Sequence, residues 1–299
     1  MMKDKRTRAI LSAVTAALCY GTSAPLSKLL LAHLPATFMA ALLYLGAGLG
    51  MAVLALVRKL SGAKTKDTSL MAKDLPYVLA MIALDIAAPV LFMLGLSMTS
   101  PSGVALLNNF EIVATTLVAR IIFREAVGKR MWLAILLIIL ASILLTVEDI
   151  NSLSFSAGSV FVVLACLCWG IENNCTRMLS IHDPMQIVMI KGIGSGLGAL
   201  GIAYFTNALK MEVLYIGLAL LLGCFSYGLS IYFYVLAQRE LGATRTSAYY
   251  AIAPFIGVAL SLALFRQPVS AAFLSALLVM AAGVYFTVFE KHSHGMPVK

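Results

Sequence analysis

The sequence predicts an all-α membrane protein: ten transmembrane helices in two inverted five-helix repeats around a central cavity. Three observations carry this. Hydrophobic residues make up 61% of the 299 positions and charged residues only 12%, whereas water-soluble chains sit near about 45–50% apolar and about 25% charged. The apolar residues fall in runs long enough for a bilayer core, which takes roughly 20 helical residues to cross. And the chain repeats itself. Cys19-Tyr20-Gly21 recurs as Cys168-Trp169-Gly170, an offset of 149 that also sets Lys28 against Arg177 and Pro35 against Pro184. Further on, an offset of 142 aligns Phe123-Arg124-Glu125-Ala126-Val127 with Phe265-Arg266-Gln267-Pro268-Val269; it places Asp85 opposite Tyr227, Asn108 opposite Tyr250 and Glu111 opposite Ala253. Five crossings is an odd number, so the second copy (151–299) enters the membrane upside down relative to the first (1–150).

Helix 1 covers residues 9–32 after a basic leader, Met1 to Arg8. A removable signal sequence has a shorter apolar region, and this segment has an interior twin at Cys168, so it is read as retained. Helix 2 covers 36–57, followed by a basic loop at 58–74. Helix 3 (75–97) carries Asp85 near its middle and Pro89 one turn on, where a kink is expected. A tight turn at 99–103 leads to helix 4 (104–123), which holds Asn108, Asn109 and Glu111. Helix 5 (131–147) and a junction at 148–154 end the first copy. Helix 6 is expected at 155–179, helix 7 at 184–205 with Lys191, and helix 8 at 211–236. Helix 9 (244–265) carries Tyr249, Tyr250 and Pro254, and helix 10 (269–289) precedes a polar tail.

Charge sets the orientation. With the N-terminus inside, 18 of the 22 lysines and arginines fall on the cytoplasmic side; Lys210 and Arg266 fall outside, and Lys28 and Lys191 lie within helices. Cytoplasmic loops carry such an excess, so both termini are expected in the cytoplasm of a multi-pass cell (plasma or inner) membrane protein. The same distribution accounts for the net charge of +9 without a nucleic-acid partner. The five cysteines lie within predicted helices at no metal-ligand spacing and read as small buried residues; no cofactor is implied. The four histidines lie in loops or the tail.

Asp85, Glu111, Glu172 and Lys191 are the ionisable groups expected deep in helices. Each costs roughly 2.5–3.5 kcal/mol at the bilayer centre on insertion scales, so each should face protein or a water-filled cavity. Trp169, Glu172, Asn173 and Thr176 share one helical face. Glu172 and Lys191 on consecutive helices could neutralise each other, leaving Asp85 and Glu111 as the cavity's charge, in contact with substrate or protons; the alternative is hydrogen-bonded packing. Asn108 shares a face with Glu111, extended by Thr115, and could instead join helices. Tyr20, Trp169, Tyr227 and Tyr250 could stack on a solute or simply pack. An inverted repeat with a midplane site is the construction of alternating-access carriers.

Several stretches resemble the drug/metabolite transporter superfamily, and within it the ten-helix EamA-type transporters. They are Tyr20-Gly21-Thr22-Ser23, Ala119-Arg120-Ile121-Ile122-Phe123-Arg124-Glu125, Leu241-Gly242-Ala243-Thr244-Arg245 and Tyr250-Ala251-Ile252-Ala253-Pro254. The resemblance covers nearly the whole chain. It implies a basket-like bundle whose cavity is lined by helices 1, 3, 4, 6, 8 and 9, with helices 5 and 10 peripheral. It also implies secondary transport, commonly export of amino acids or related metabolites. Aromatic-amino-acid exporters of that family resemble one another in aromatic cavities, whereas here acids occupy cavity positions. The expected substrate is therefore a small cationic or zwitterionic metabolite, such as an amino acid or amine, bound by Tyr20, Asp85, Asn108, Glu111, Trp169, Glu172, Asn173, Tyr227 and Tyr250. Proton coupling is expected at Asp85 or Glu111. A flippase for lipids or lipid-linked carriers on the same fold is the alternative. An intramembrane enzyme ranks last, because no H-E-x-x-H and no helical histidine is present.

Overall fold

A computed structural model describes residues 2–62, 68–122, 124, 127–149, 154–241, 246 and 249–288. The fold is all-α apart from a short antiparallel pair, β1 (Val147–Asp149) with β2 (Ser154–Phe155), at the junction of the two halves. Among the described residues, eight apolar helical stretches are long enough to cross a bilayer and two shorter apolar helices accompany them; these are spans 1 to 10 below.

Span 1 is α1 (Met2–Gly21) and α2 (Ser23–Leu30), span 2 is α3 (Ala36–Leu60), and span 3 is α4 (Leu75–Met98). Span 4 is α5 (Pro101–Leu107) and α6 (Phe110–Ile122); span 5 is α7 (Lys129–Thr146). Spans 6 and 7 are α8 (Ala157–Leu179) and α9 (Pro184–Phe205). Span 8 joins α10 (Val213–Gly223) to α11 (Ser230–Leu241) through a π-helical turn, Cys224–Leu229. Span 9 contains α12 (Ala253–Phe265) and span 10 is α13 (Ala271–Val288).

Helix starts follow local chemistry. Ser100 accepts a hydrogen bond from the Gly103 N–H with Pro101 at the first helical position, and Asp183 accepts one from Met185 N–H with Pro184 next to it. Both satisfy N–H groups that a helix start leaves unpaired. The short turn expected at 99–103 is thus already helical from Pro101. Spans 1, 4, 8 and 9, expected as continuous helices, are interrupted instead. The breaks lie at Thr22, at Asn108-Asn109, at the π-turn and at Ala251-Ile252. The side chains that loosen them are polar and bond backwards: Thr22 Oγ1 donates to the Cys19 carbonyl at 2.8 Å, and Asn109 Nδ2 to the Leu106 carbonyl at 3.2 Å. Pro89, where a kink was expected, lies inside α4, which remains one helix.

The packing has a twofold pattern. Span 2 packs on span 7, span 4 on span 9 and span 5 on span 10, each a helix against its own repeat counterpart. Span 3 against span 6 has its counterpart in span 8 against span 1. α4 and α8 run antiparallel, with Gly95 against Gly158 and the Phe92 ring 5.3 Å from Trp169. Span 5 rests chiefly on span 10, at the periphery of the bundle.

Candidate functional site

Two polar clusters occupy the middle of the bundle. The first is ionic. Lys191 Nζ of α9 lies 3.0 Å from Asp85 Oδ2 of α4 and 3.0 Å from Glu172 Oε2 of α8. All three side chains are buried, Asp85 completely. Tyr44 of α3 donates to Asp85 Oδ1 at 2.9 Å and accepts from Trp169 Nε1 at 3.2 Å. Thr176 Oγ1 donates to Glu172 Oε1 one turn along the same helix. One ammonium thus serves two carboxylates from different spans, with hydroxyl and indole donors completing the set. A buried charge persists only when it is paired and hydrogen-bonded in this way.

The Glu172–Lys191 contact is the one considered from sequence. Asp85 was expected to stand as cavity charge once that pair formed, with hydrogen-bonded packing as the alternative; the antiparallel seating of α4 against α8 brings it to the same ammonium, with Tyr44 as its hydrogen-bond donor. Tyr44 and Lys191 also bring spans 2 and 7 to the centre, outside the lining implied by the family resemblance. Tyr44 carried no sequence signal, because a lone tyrosine in an apolar run looks like packing.

The second cluster gathers around the helix breaks. Glu111 sits in the first turn of α6, where the positive end of the helix dipole favours an anion. Asn173 Nδ2 donates to Glu111 Oε1 at 2.6 Å and to Thr115 Oγ1 at 3.2 Å. Asn108 Nδ2 donates to the Tyr20 hydroxyl at 3.1 Å, and Ser23 Oγ donates to the Tyr227 hydroxyl at 3.1 Å. The rings run on from there. Tyr20 lies 5.8 Å from Tyr227 and 5.7 Å from Tyr250, and Tyr227 lies 5.3 Å from Tyr44, which joins the two clusters. All nine residues expected to meet substrate are therefore in or beside one connected polar and aromatic centre.

A crevice of about 250 Å³, counted with its mouth, opens beside this centre against Tyr20, Ser23, Phe92, Asn108, Pro254 and Gly257. None of the acids is among its lining residues. Among the described residues, no group of three or more His, Cys, Asp or Glu side chains is assembled that could hold a metal ion.

Gly21 and Gly170 hold the centre close. A Cβ on Gly170 would stand 2.7 Å from the Ala114 backbone, and one on Gly21 would stand 2.7 Å from the Ala253 carbonyl oxygen. Each seats span 6 or span 1 against the broken span that carries the other half of the cluster.

Comparison with known proteins gives one consistent result. The EamA-like transporter family matches twice, over residues 7–147 and 156–289. An uncharacterized transporter of Methanothermobacter thermautotrophicus is 25% identical over 94% of this chain and 86% of its own length. The uncharacterized transporter YyaM of Bacillus subtilis is 23% identical over 58% of this chain and 60% of its own. A solved crystal structure shares the fold with a TM-score of 0.67, covering 93% of this chain and 94% of that one at 17% identity. With nearly the whole chain matched in two consecutive stretches, each carrying one set of the helices described above, this multi-pass membrane protein belongs to the EamA-like transporter family.

Proposed function

We propose that the chain is a secondary active transporter working by alternating access, which exports a small cationic or zwitterionic metabolite such as an amino acid or amine and takes its energy from protons at Glu111. The two halves, 1–150 and 151–299, exchange conformations about the central cluster, and both termini face the cytoplasm. The observation that carries the reading is the difference between the central acids. Asp85 and Glu172 share Lys191, whereas Glu111 has no basic partner within 4.0 Å among the described residues and is held by the Asn173 amide. An amide can serve a carboxylate in either protonation state, by donating its N–H or by turning its oxygen. The aromatic ring of Tyr20, Tyr227 and Tyr250 beside it suits an organic ammonium group, through attraction to ring faces. Lys191 and its carboxylates would then hold spans 3, 6 and 7 in register, with Asp85 available to substrate when the halves rearrange.

The test has two steps. A thermal-shift screen against amino acids, polyamines, quaternary amines and nucleosides identifies a binder, because a ligand of the native state raises its stability. Flux of that binder into proteoliposomes under a pH gradient is then compared between wild type and Glu111→Gln. Loss of gradient-driven accumulation, with counterflow of the binder retained, is expected. Undiminished gradient-driven accumulation by Glu111→Gln would remove Glu111 from proton coupling, and a screen positive only for anionic solutes would remove the substrate class.

A further inference from the structure

Outside the central clusters, two histidines sit at opposite ends of α4. His182, in the turn after α8, places Nε2 3.0 Å from Asp74 Oδ2, at the start of α4. His33, in the turn after α2, places Nδ1 3.5 Å from Glu212 Oε2. That turn lies at the other end of α4, where Lys28 of α2 donates to the Leu96, Ser97 and Thr99 carbonyls. The two contacts are therefore on opposite faces of the bundle.

They also occupy corresponding places in the two halves. His33 and His182 are separated by 149, the offset of the repeat. Asp74 is the residue before α4 and Glu212 the residue before α10, so each carboxylate opens the third span of its half. We propose that His182–Asp74 and His33–Glu212 are the reciprocal latches of the transport cycle: each closes one mouth, and the two alternately release. This rests on the alternating-access reading above.

The surroundings show how each latch is built. On the face of Arg58, the His182 ring meets Thr68 Oγ1 at 3.1 Å, the Asp183 N–H donates to the Thr68 carbonyl at 3.1 Å, and Arg58 Nη2 lies 2.5 Å from Asp183 Oδ2. The Leu70 N–H donates to Gln186 Oε1 at 3.1 Å. This latch is buried. On the opposite face, Glu212 also holds Lys210 at 2.5 Å, and His33 stacks on Tyr215 with ring centroids 3.6 Å apart. The hydrogen bond from Lys210 holds the Glu212 carboxyl below the usual carboxylate range, so it stays an acceptor. This latch is solvent-exposed and worth less, as screened surface pairs are. Both are engaged at once here, with the polar centre buried between them.

The test needs no substrate. Spin labels are introduced as unnatural amino acids at Lys73 and Ile181 for one mouth, and at Ala32 and Leu209 for the other, and distances are measured by pulsed electron resonance on the full chain in nanodiscs. Wild type is expected to show two distances at each mouth. His182→Ala shifts the populations toward an open Arg58-side mouth by roughly tenfold, as loss of a buried polar partner does. His33→Ala shifts them the other way by roughly twofold. Should His182→Ala fail to fold, Asp74→Asn and the half-buried Arg58→Met load the same side, and Glu212→Gln repeats the outer test. Two populations that both sets of variants leave in place, or move in one direction, overturn the latches alone. A single distance at each mouth in wild type overturns alternating access and the latches with it.

Discussion

Lys191 is shared by two carboxylates, and that sharing makes the ionic cluster more fragile than an ordinary pair. Removing the ammonium leaves Asp85 and Glu172 facing each other in a buried site without a cation. Breaking a buried ion pair on one side costs about 3–5 kcal/mol. Lys191→Met is therefore expected to lose about that much stability, read as a fall in thermal midpoint of the detergent-solubilised protein. Asp85→Asn/Lys191→Met should recover part of the loss, because one of the two stranded charges has gone; strict additivity of the two changes would show that the groups do not interact. Tyr44→Phe belongs to the same test. It strips a hydrogen-bond donor from Asp85 and an acceptor from Trp169 Nε1, and should cost about 1–3 kcal/mol. The ionisable members of this cluster were legible in the sequence because charge in an apolar run stands out. Which acid meets which base was not, since that depends on how α4 sits against α8.

At the scale of helices, close approach and interruption decide the shape of the centre. Gly170 lies where a Cβ would stand 2.7 Å from the Ala114 backbone, while around Gly217 of α10 the same atom would meet nothing within 4 Å. Alanine favours a helix over glycine by about 1 kcal/mol, but overpacking a tight contact costs about 1–3 kcal/mol. Gly217→Ala should therefore leave thermal stability unchanged or raise it, and Gly170→Ala should lower it. Equal shifts in the two variants would show that the α8–α6 contact yields freely. The glycine's twin, Gly21 against Ala253, predicts the same sign for Gly21→Ala. Helix number and most boundaries were readable from apolar run lengths; span 7 was expected at 184–205 and α9 is Pro184–Phe205. The interruptions were not readable. Asn108-Asn109 fits a polar helical face as well as a break, and a π-turn such as Cys224–Leu229 has no composition of its own.

For the whole molecule, the twofold packing and the charge distribution constrain one another. Arg58, in the last turn of α3, contacts Asp183 in the turn after α8, so the ends of spans 2 and 6 share a face; Lys210 and Glu212 lie with the turn after α2 on the other. By the order of the spans, the lysine and arginine excess is expected on the Arg58 face. Because cationic loops resist translocation, that face should be cytoplasmic. Exposed positions make this measurable. Lys210→Cys should react with a membrane-impermeant maleimide in intact cells, and Lys59→Cys only after permeabilisation, with the wild-type chain as the baseline for the five native cysteines, which all lie within the spans. The reverse pattern would turn the molecule over: the buried His182 latch would then guard the outside, and the direction of export would have to be argued afresh. Labelling of both positions in intact cells would mean a mixed orientation, which an 18 to 2 division of basic residues makes costly, since every wrongly inserted copy would carry the basic end of α3 across the bilayer.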